Sequence, residues 1–360
     1  MRHSIRIAGE TIPLLMTVSI FAVGLAGGLL ARAAGLPIPM LIGSVVAVGA
    51  LSIFGFAPGG HPPKVPFWLR HVFVPIIGLS IGSAFTSDLL QEARSWWPSL
   101  LSLVAFIPLA HWIGYRGLLL WGGLDRVTAY YAAVPGGLME CIAMGEENGA
   151  DVPMLTALQF LRLILTVLLV PLSFTLLNGG AVGSAAGLTM PGARGVFDAP
   201  EVFWQAVVGV IGYLGGRRLA LPAYLITGPL LASGLAHLAG FLQATPPRGL
   251  ISATQLIIGV ALGTRFVGMR PRVVLRALGL ALVNIGLTMT LAIAMGLLLH
   301  RVVGEQIEAV VLAFAPGGLA EMSLVALSMH ISVLFVTAHH VARIVLSVTV
   351  AKLFASRIHG

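Results

Sequence analysis

Long apolar stretches are the feature that most limits what this chain can fold into. Four of them, at residues 11–30, 99–119, 154–177 and 277–299, reach the roughly 20 residues that an α-helix needs to cross a hydrocarbon core. Hydrophobic residues make up 58% of the 360-residue chain and charged residues 9%, which excludes an ordinary water-soluble domain. The first stretch follows Arg2 and Arg6 and is too long for a cleaved signal, so we predict a retained first span. The sequence therefore predicts an all-α polytopic integral membrane protein.

The charge and cysteine content remove several classes of function. The net charge is +8, but the cations are scattered over short loops, so we interpret them as topology signals and predict no nucleic-acid partner. Cys141 is the single cysteine, which excludes an internal disulfide and a cysteine-built metal site. No metal and no cofactor are predicted.

A short element interrupts the apolar sequence twice, with the pattern Pro-Gly-Gly-Leu-X-Glu. Proline removes a backbone donor and glycine loosens a helix, so we expect one helix to end near Pro316 and another to begin at Leu319. Broken backbone inside a membrane is tolerated only where protein or a water-filled cavity surrounds it, so each break predicts a site. The candidate residues in the two elements are Pro135, Gly136, Gly137 and Glu140, and Pro316, Gly317, Gly318 and Glu321.

These elements belong to a duplication that covers most of the chain. At an offset of 181 residues Arg162 corresponds to Arg343, and nearer the start of each copy an offset of 185 matches Pro37 with Pro222. We predict a first membrane repeat at residues 1–178, a linker rich in Gly, Ala and Pro at 179–200, and a second membrane repeat at 201–360. Each repeat is expected to contain about five transmembrane helices plus one broken, re-entrant segment.

The distribution of lysine and arginine predicts how the two repeats are oriented. Inverted repeats with cytoplasmic termini place 14 of these cations inside and 5 outside, whereas parallel repeats place 11 inside and 8 outside. Cytoplasmic loops carry an excess of Lys and Arg, which favours inversion. We therefore predict two inverted repeats, both termini in the cytoplasm, and the linker near Arg194 on the outside.

Polar residues recur at helical spacing in the apolar segment that follows each break, which places them on one helix face. Left unpaired in a membrane, the arginines and glutamates of the two repeats would together cost on the order of 10 kcal/mol, so they must pair with each other, a ligand or water. One interpretation is two structural ion pairs, Glu140 with Arg162 and Glu321 with Arg343; the other is a solute site. The two stripes are Thr156, Gln159, Arg162 and Thr166, and Thr337, His340, Arg343 and Ser347.

Two adjacent histidines stand out because the repeat does not require them. His339 and His340 occupy the positions of Leu158 and Gln159 in the first copy. An imidazole titrates near neutral pH, so these histidines are candidate proton carriers. A hydrogen-bonded structural role for at least one of them is the alternative.

Several motifs also carry a family resemblance. They are residues 216–219 (Gly-Arg-Arg-Leu), 227–234 (Thr-Gly-Pro-Leu-Leu-Ala-Ser-Gly), 255–259 (Gln-Leu-Ile-Ile-Gly), 315–321, and the histidine pair. They resemble the AbrB-type family of bacterial membrane proteins with a duplicated domain. The resemblance implies a multi-pass protein of the bacterial inner membrane. Such proteins carry labels as different as regulator and ammonia monooxygenase, and neither label identifies catalytic residues.

Inverted repeats with broken helices near the midplane are the architecture of secondary transporters. We therefore expect a transporter rather than an enzyme, with a small anionic solute because arginine binds carboxylate bidentately, and with H⁺ or Na⁺ as coupling ion. A monooxygenase would need a redox metal, for which the neighbouring ligands are His339, His340 and Glu321. A regulator is the other alternative, and it would affect gene expression indirectly. The expected partners are the lipid bilayer and the solute with its ion; whether the protein is a homodimer stays open.

Overall fold

The computed structural model describes residues 4–7, 10–86, 91–178, 198–329 and 331–355, and this part of the chain is almost entirely helical. Two short strands, β1 (Ser4–Ile7) and β2 (Glu10–Pro13), pair antiparallel ahead of the first helix. The helices of the first repeat are α1 (Leu14–Ala33), α2 (Pro39–Ile53), α3 (Phe67–Gly82), α4 (Trp97–Leu120), α5 (Arg126–Ala133), α6 (Leu138–Glu147) and α7 (Val152–Asn178). Those of the second are α8 (Ala199–Arg218), α9 (Tyr224–Leu238), α10 (Arg248–Gly263), α11 (Pro271–Val303), α12 (Ile307–Phe314), α13 (Leu319–Ser328) and α14 (Val333–Phe354).

The order of these helices repeats in the way that the sequence offsets predict. Helices α8 and α9 begin 185 residues after α1 and α2, and α10, α12, α13 and α14 each begin 181 residues after α3, α5, α6 and α7. Helix α11 starts earlier than that offset requires and runs for 33 residues. Seven helices of the first half thus have counterparts in the second.

Within the described residues, six helices are long and apolar enough to cross a membrane, which confirms the class of polytopic membrane protein. They are Leu14–Ala33, Trp97–Leu120, Val152–Phe174, Arg248–Phe266, Pro271–Val303 and Val333–Phe354. Both repeats also contain shorter apolar helices. Helices α2, α3 and α9 are apolar but only 15, 16 and 15 residues long, because Gly and Pro end them early.

The helices assemble into two compact units, and each unit draws on both repeats. Unit 1 comprises residues 1–87, 171–269 and 327–329, and unit 2 comprises residues 88–170, 270–326 and 330–360. Unit 1 therefore holds α1 to α3 with α8 to α10, and unit 2 holds α4 to α6 with α11, α12, α14 and most of α7 and α13. The predicted repeat boundaries describe the duplication and stay a prediction; most of the predicted linker, including Arg194, lies outside the described residues.

Close glycine contacts pack the helices of unit 1, and they occur once in each repeat. A Cβ placed on Gly43 would collide with the backbone carbonyl of Gly27, and a Cβ on Gly228 would collide with that of Gly212. Helices α1 and α2 therefore approach each other as closely as α8 and α9 do. Small residues permit this distance between backbones, which is the usual basis of helix packing in lipid.

Candidate functional site

Both predicted breaks are present, and both lie in unit 2. At the first break, α5 ends at Ala133 and α6 begins at Leu138. At the second, α12 ends at Phe314 and α13 begins at Leu319. Proline has no N–H to continue the helical ladder, and Gly137 turns the chain with a φ of 66°, a left-handed conformation that suits glycine. The expectation that one helix ends near Pro316 and another begins at Leu319 is confirmed.

The two buried arginines bond to the ends of the first half-helices. Arg162 on α7 donates from Nη1 to the carbonyl of Val134, and Arg343 on α14 donates from Nη1 to the carbonyl of Ala315. In each case the acceptor lies 28 residues before the arginine, and Arg343 also donates to the carbonyl of Gly317. The last carbonyls of a helix have no partner within it and carry the negative end of its dipole. Each guanidinium therefore bonds to a carbonyl at a helix end, and the carbonyl of Ala315 also accepts from the N–H of Gly317 at 2.9 Å.

A second pair of side chains repeats this arrangement one turn earlier. Gln159 donates from Nε2 to the carbonyl of Tyr131 at 2.7 Å, and His340 lies 3.0 Å through Nε2 from the carbonyl of Leu312, again 28 residues earlier. The other ring nitrogen of His340, Nδ1, is 2.8 Å from Nη2 of Arg343. A guanidinium only donates, so Nδ1 accepts and Nε2 carries the proton. His340 is thus held as a neutral imidazole.

Each of the two long helices, α7 and α14, contacts both breaks. Helix α7, whose Arg162 bonds to the first break, also reaches the second: Thr166 donates to the carbonyl of Pro316 at 3.2 Å. Helix α14, whose Arg343 bonds to the second break, packs on the first, where a Cβ on Gly136 would lie 2.9 Å from Ser347 Oγ. The two breaks with the stripes of α7 and α14 are called the paired-break cluster below.

The glutamates also lie at helix ends, and not beside the arginines. Glu140 and Glu321 stand in the first turns of α6 and α13, where a carboxylate is stabilised by the positive end of the helix dipole. The carboxylate of Glu321 folds back over Gly318, where an added Cβ would collide with it. Glu140 is exposed and Glu321 is buried.

The interpretation of Glu140 with Arg162 and Glu321 with Arg343 as ion pairs is therefore corrected. Among the described residues neither arginine has a carboxylate oxygen within 4.0 Å, and the partners of both guanidinium groups are those given above. The physical reason is that each helix break creates open backbone groups of both signs. The arginine compensates the carbonyl end and the glutamate lies at the N–H end.

The polar stripes face the protein interior, as predicted, except that Thr156 is only half-buried. Arg343 is 1% exposed and Arg162 5%, and Gln159, Thr166, His340 and Ser347 are fully buried. The Nε–H groups of both arginines, Oε1 of Gln159 and Oγ of Ser347 are buried and have no hydrogen-bond partner within the described part of the chain. The cluster thus retains buried polar atoms that the protein itself does not satisfy. Such atoms are rare in folded proteins and indicate water, an ion or a ligand.

His339 lies among aromatic rings, apart from these open groups. Its Nδ1 is 2.8 Å from the carbonyl of Phe335, its Nε2 is 2.8 Å from Ser99 Oγ, and its ring lies against Phe335 and Phe314. Both nitrogens are therefore occupied by the protein. Sequence reasoning missed Ser99, because its partner is 240 residues away and the sequence shows no pattern that links the two.

Cys141 lies beside Glu140, just past the first break, but it is not accessible to solvent. Its side chain is fully buried, and Sγ donates to the carbonyl of Gly136 at 3.3 Å. Glu140 and Cys141 are neighbours in sequence, but on a helix successive residues point in directions about 100° apart. The thiol therefore faces the break while the carboxylate is exposed.

Comparison with known proteins places this arrangement in a family. Residues 57–359 match the family model described as transition state regulatory protein AbrB. The chain is 24% identical to the YhjN protein of Bacillus subtilis (strain 168) over 367 aligned residues, which cover 96% of this chain and 94% of that protein. It is 31% identical to a protein named as a regulator, AbrB, of Escherichia coli (strain K12), over 47% of each chain.

Proposed function

The chain belongs to the AbrB family, and from the paired-break cluster we propose that it is a secondary transporter of a small anionic solute in the bacterial inner membrane. The observation that carries this proposal is the meeting of two broken helices, one from each repeat, with two buried arginines in one compact unit. Discontinuous helices from related repeats build the binding sites of many secondary transporters. The inverted orientation of the repeats is part of the proposal and follows from the charge distribution.

The two buried arginines favour an anion. Each arginine brings a full positive charge, whereas a helix C-terminus offers about half a negative charge, so the carbonyl bonds compensate only part of it. A buried charge that is only partly compensated costs free energy. A carboxylate bound at the open Nε–H groups would supply the missing negative charge. Arginine also recognises carboxylates through two parallel hydrogen bonds. These points support a small organic anion as solute.

His340 favours H⁺ over Na⁺ as the coupling ion. Its Nδ1 accepts from Arg343, and a proton added there would remove that acceptor and place a second cation beside the guanidinium. Protonation would therefore release Arg343 from one of its protein partners. We propose that this exchange links proton uptake to the binding or release of the anion.

The other two functions receive less support. A redox metal would need free imidazole nitrogens, yet both nitrogens of His339 and of His340 already lie within hydrogen-bond distance of protein atoms. A relative is named as a regulator, and a protein of this architecture would influence gene expression through the level of the solute that it carries. The proposal is therefore transport, with regulation as an indirect effect.

Uptake into proteoliposomes tests this function directly. Purified protein is reconstituted and offered labelled carboxylates, amino acids and ammonium under an imposed pH gradient, a Na⁺ gradient or no gradient. We expect gradient-driven uptake of at least one carboxylate, with the pH gradient as the driving force. Folded protein that moves no anion under any gradient would overturn the proposal, and uptake driven by Na⁺ alone would overturn the role of His340.

Two variants connect the transport to the cluster. Ser347→Ala removes a hydroxyl that has no hydrogen-bond partner among the residues that the structure describes, so we expect stability to be kept and uptake to fall. Thr349→Val, exposed on the same helix, is the control. His340→Gln introduces the residue that the first repeat has at this position, Gln159, and keeps a donor for Leu312. It should retain solute exchange and lose the response to the pH gradient.

A further inference from the structure

Unit 1 contains a cavity with a basic lining, separate from every residue used above. It has a volume of about 410 Å³ and lies where the segment before α3, the first turns of α3 and α9, and the end of α10 come together. The polar residues among its lining are Lys64, Arg70, His71, Tyr224, Thr264 and Arg265. A cavity of this size falls within the range of small-ligand sites.

The lining carries three positive charges and, among its described residues, no negative one. Lys64 is partly compensated from outside the lining, since its Nζ lies 2.6 Å from a carboxylate oxygen of Glu10. Arg70 and Arg265 come from different helices, and like charges that share a cavity repel each other. An anion bound between them would turn this repulsion into attraction.

The type of anion follows from the donors and from the walls. Two guanidinium groups in one lining suit a tetrahedral phosphate, which offers oxygens in several directions. The tyrosine ring of Tyr224 and the apolar side chains of Phe67 and Leu225 line the same space, so that a ligand with an apolar part also fits. The charge distribution predicts that Arg70 and Arg265 lie on the cytoplasmic side, where the leaflet is rich in anionic phospholipid.

We propose that this cavity binds a phosphate group, with the headgroup of an anionic phospholipid as its expected source and a soluble phosphate ester as the other. The site does not depend on the proposed transport function, because it uses none of the residues of the paired-break cluster. A phospholipid bound in the cavity would make the stability of the N-terminal part of unit 1 depend on the lipid composition of the membrane.

The test measures thermal unfolding of the purified full-length protein in nanodiscs of phosphatidylcholine alone and with phosphatidylglycerol, and in detergent with glycerol 3-phosphate. We expect phosphatidylglycerol to stabilise the parent protein. The double variant Arg70→Gln with Arg265→Gln should bind it weaker by roughly tenfold or more, the effect of losing charge-assisted hydrogen bonds. Arg272→Gln removes an exposed arginine outside the cavity and serves as the control.

Each possible result either supports or overturns the proposed phosphate site. A response to phosphatidylglycerol that the double variant loses supports the lipid as source, and an equal response to glycerol 3-phosphate supports a soluble ester. A parent protein that responds to neither overturns the proposal without any variant. So does a double variant that responds like the parent. If the double variant fails to fold, two other measurements decide: the response of Arg70→Gln alone, and the response of the parent protein at high salt. Both responses should be weaker than that of the parent at low salt if the proposal holds.

Discussion

Replacing each arginine of the cluster by lysine should have very different effects on stability, although the two residues correspond in the repeat. Arg343 donates to the carbonyls of Ala315 and Gly317 and to Nδ1 of His340, whereas Arg162 has one acceptor among the described residues, the carbonyl of Val134. Lysine is a compact point charge on a flexible stem and cannot reproduce the arginine fork. It can keep one acceptor but not three that lie in different directions.

The magnitude follows from the number of bonds lost. Arg343→Lys loses two hydrogen bonds of a charged group at about 1.5–3 kcal/mol each, or about 3–6 kcal/mol in total. Arg162→Lys keeps its single bond, so its loss should stay within about 1 kcal/mol. At about 1–2 °C per kcal/mol for a chain of this length, the two variants should differ in melting temperature by a few degrees.

The assay is thermal unfolding of both purified variants in the same detergent, beside the parent protein. Solute is left out, so that lost binding does not add to lost stability. Equal shifts for the two variants, or a larger shift for Arg162→Lys, would refute the assignment of Arg343 as the main support of its break. A loss of transport in Arg343→Lys would then be informative only after correction for the fraction of folded protein.

Two further predictions concern packing and access. Gly228→Ala should destabilise the protein by about 1–3 kcal/mol in a denaturation experiment, because its Cβ would collide with the carbonyl of Gly212, whereas Gly215→Ala, with open space around it, should be neutral. A polar thiol reagent should leave Cys141 unlabelled in native membranes and label it after denaturation, since the thiol is fully buried. Met139→Cys, at a position that is 57% exposed, should label in the native protein, and rapid native labelling of Cys141 would contradict the packing of the first break.

Local features of the site could be predicted from sequence because they depend on covalent chemistry and helix periodicity. The break at Pro316 follows from a missing N–H, and the buried stripe around Arg343 follows from residues spaced three or four apart. The position of α13 after the two glycines follows in the same way.

The partners of the charged side chains could not be predicted. The sequence shows which side chains carry charge, so Glu321 was the expected partner of Arg343. Main-chain acceptors such as the carbonyl of Ala315 cannot be identified from residue type. Their availability depends on where a helix ends in three dimensions. The assignment of helices to units was equally hidden, because an apolar stretch does not specify which other apolar stretch it packs against.

The composition of the two units has a consequence for how the protein is made. Thr166 reaches its acceptor on Pro316 across 150 residues of chain, and at roughly 5–20 residues per second the ribosome needs on the order of 10–30 s to supply them. During that interval α7 already lies in the bilayer with its polar stripe exposed to whatever surrounds the nascent chain. The first repeat therefore cannot complete its packing until the second has been synthesised. An insertase or chaperone that shields Arg162 during this interval would determine what fraction of the protein folds.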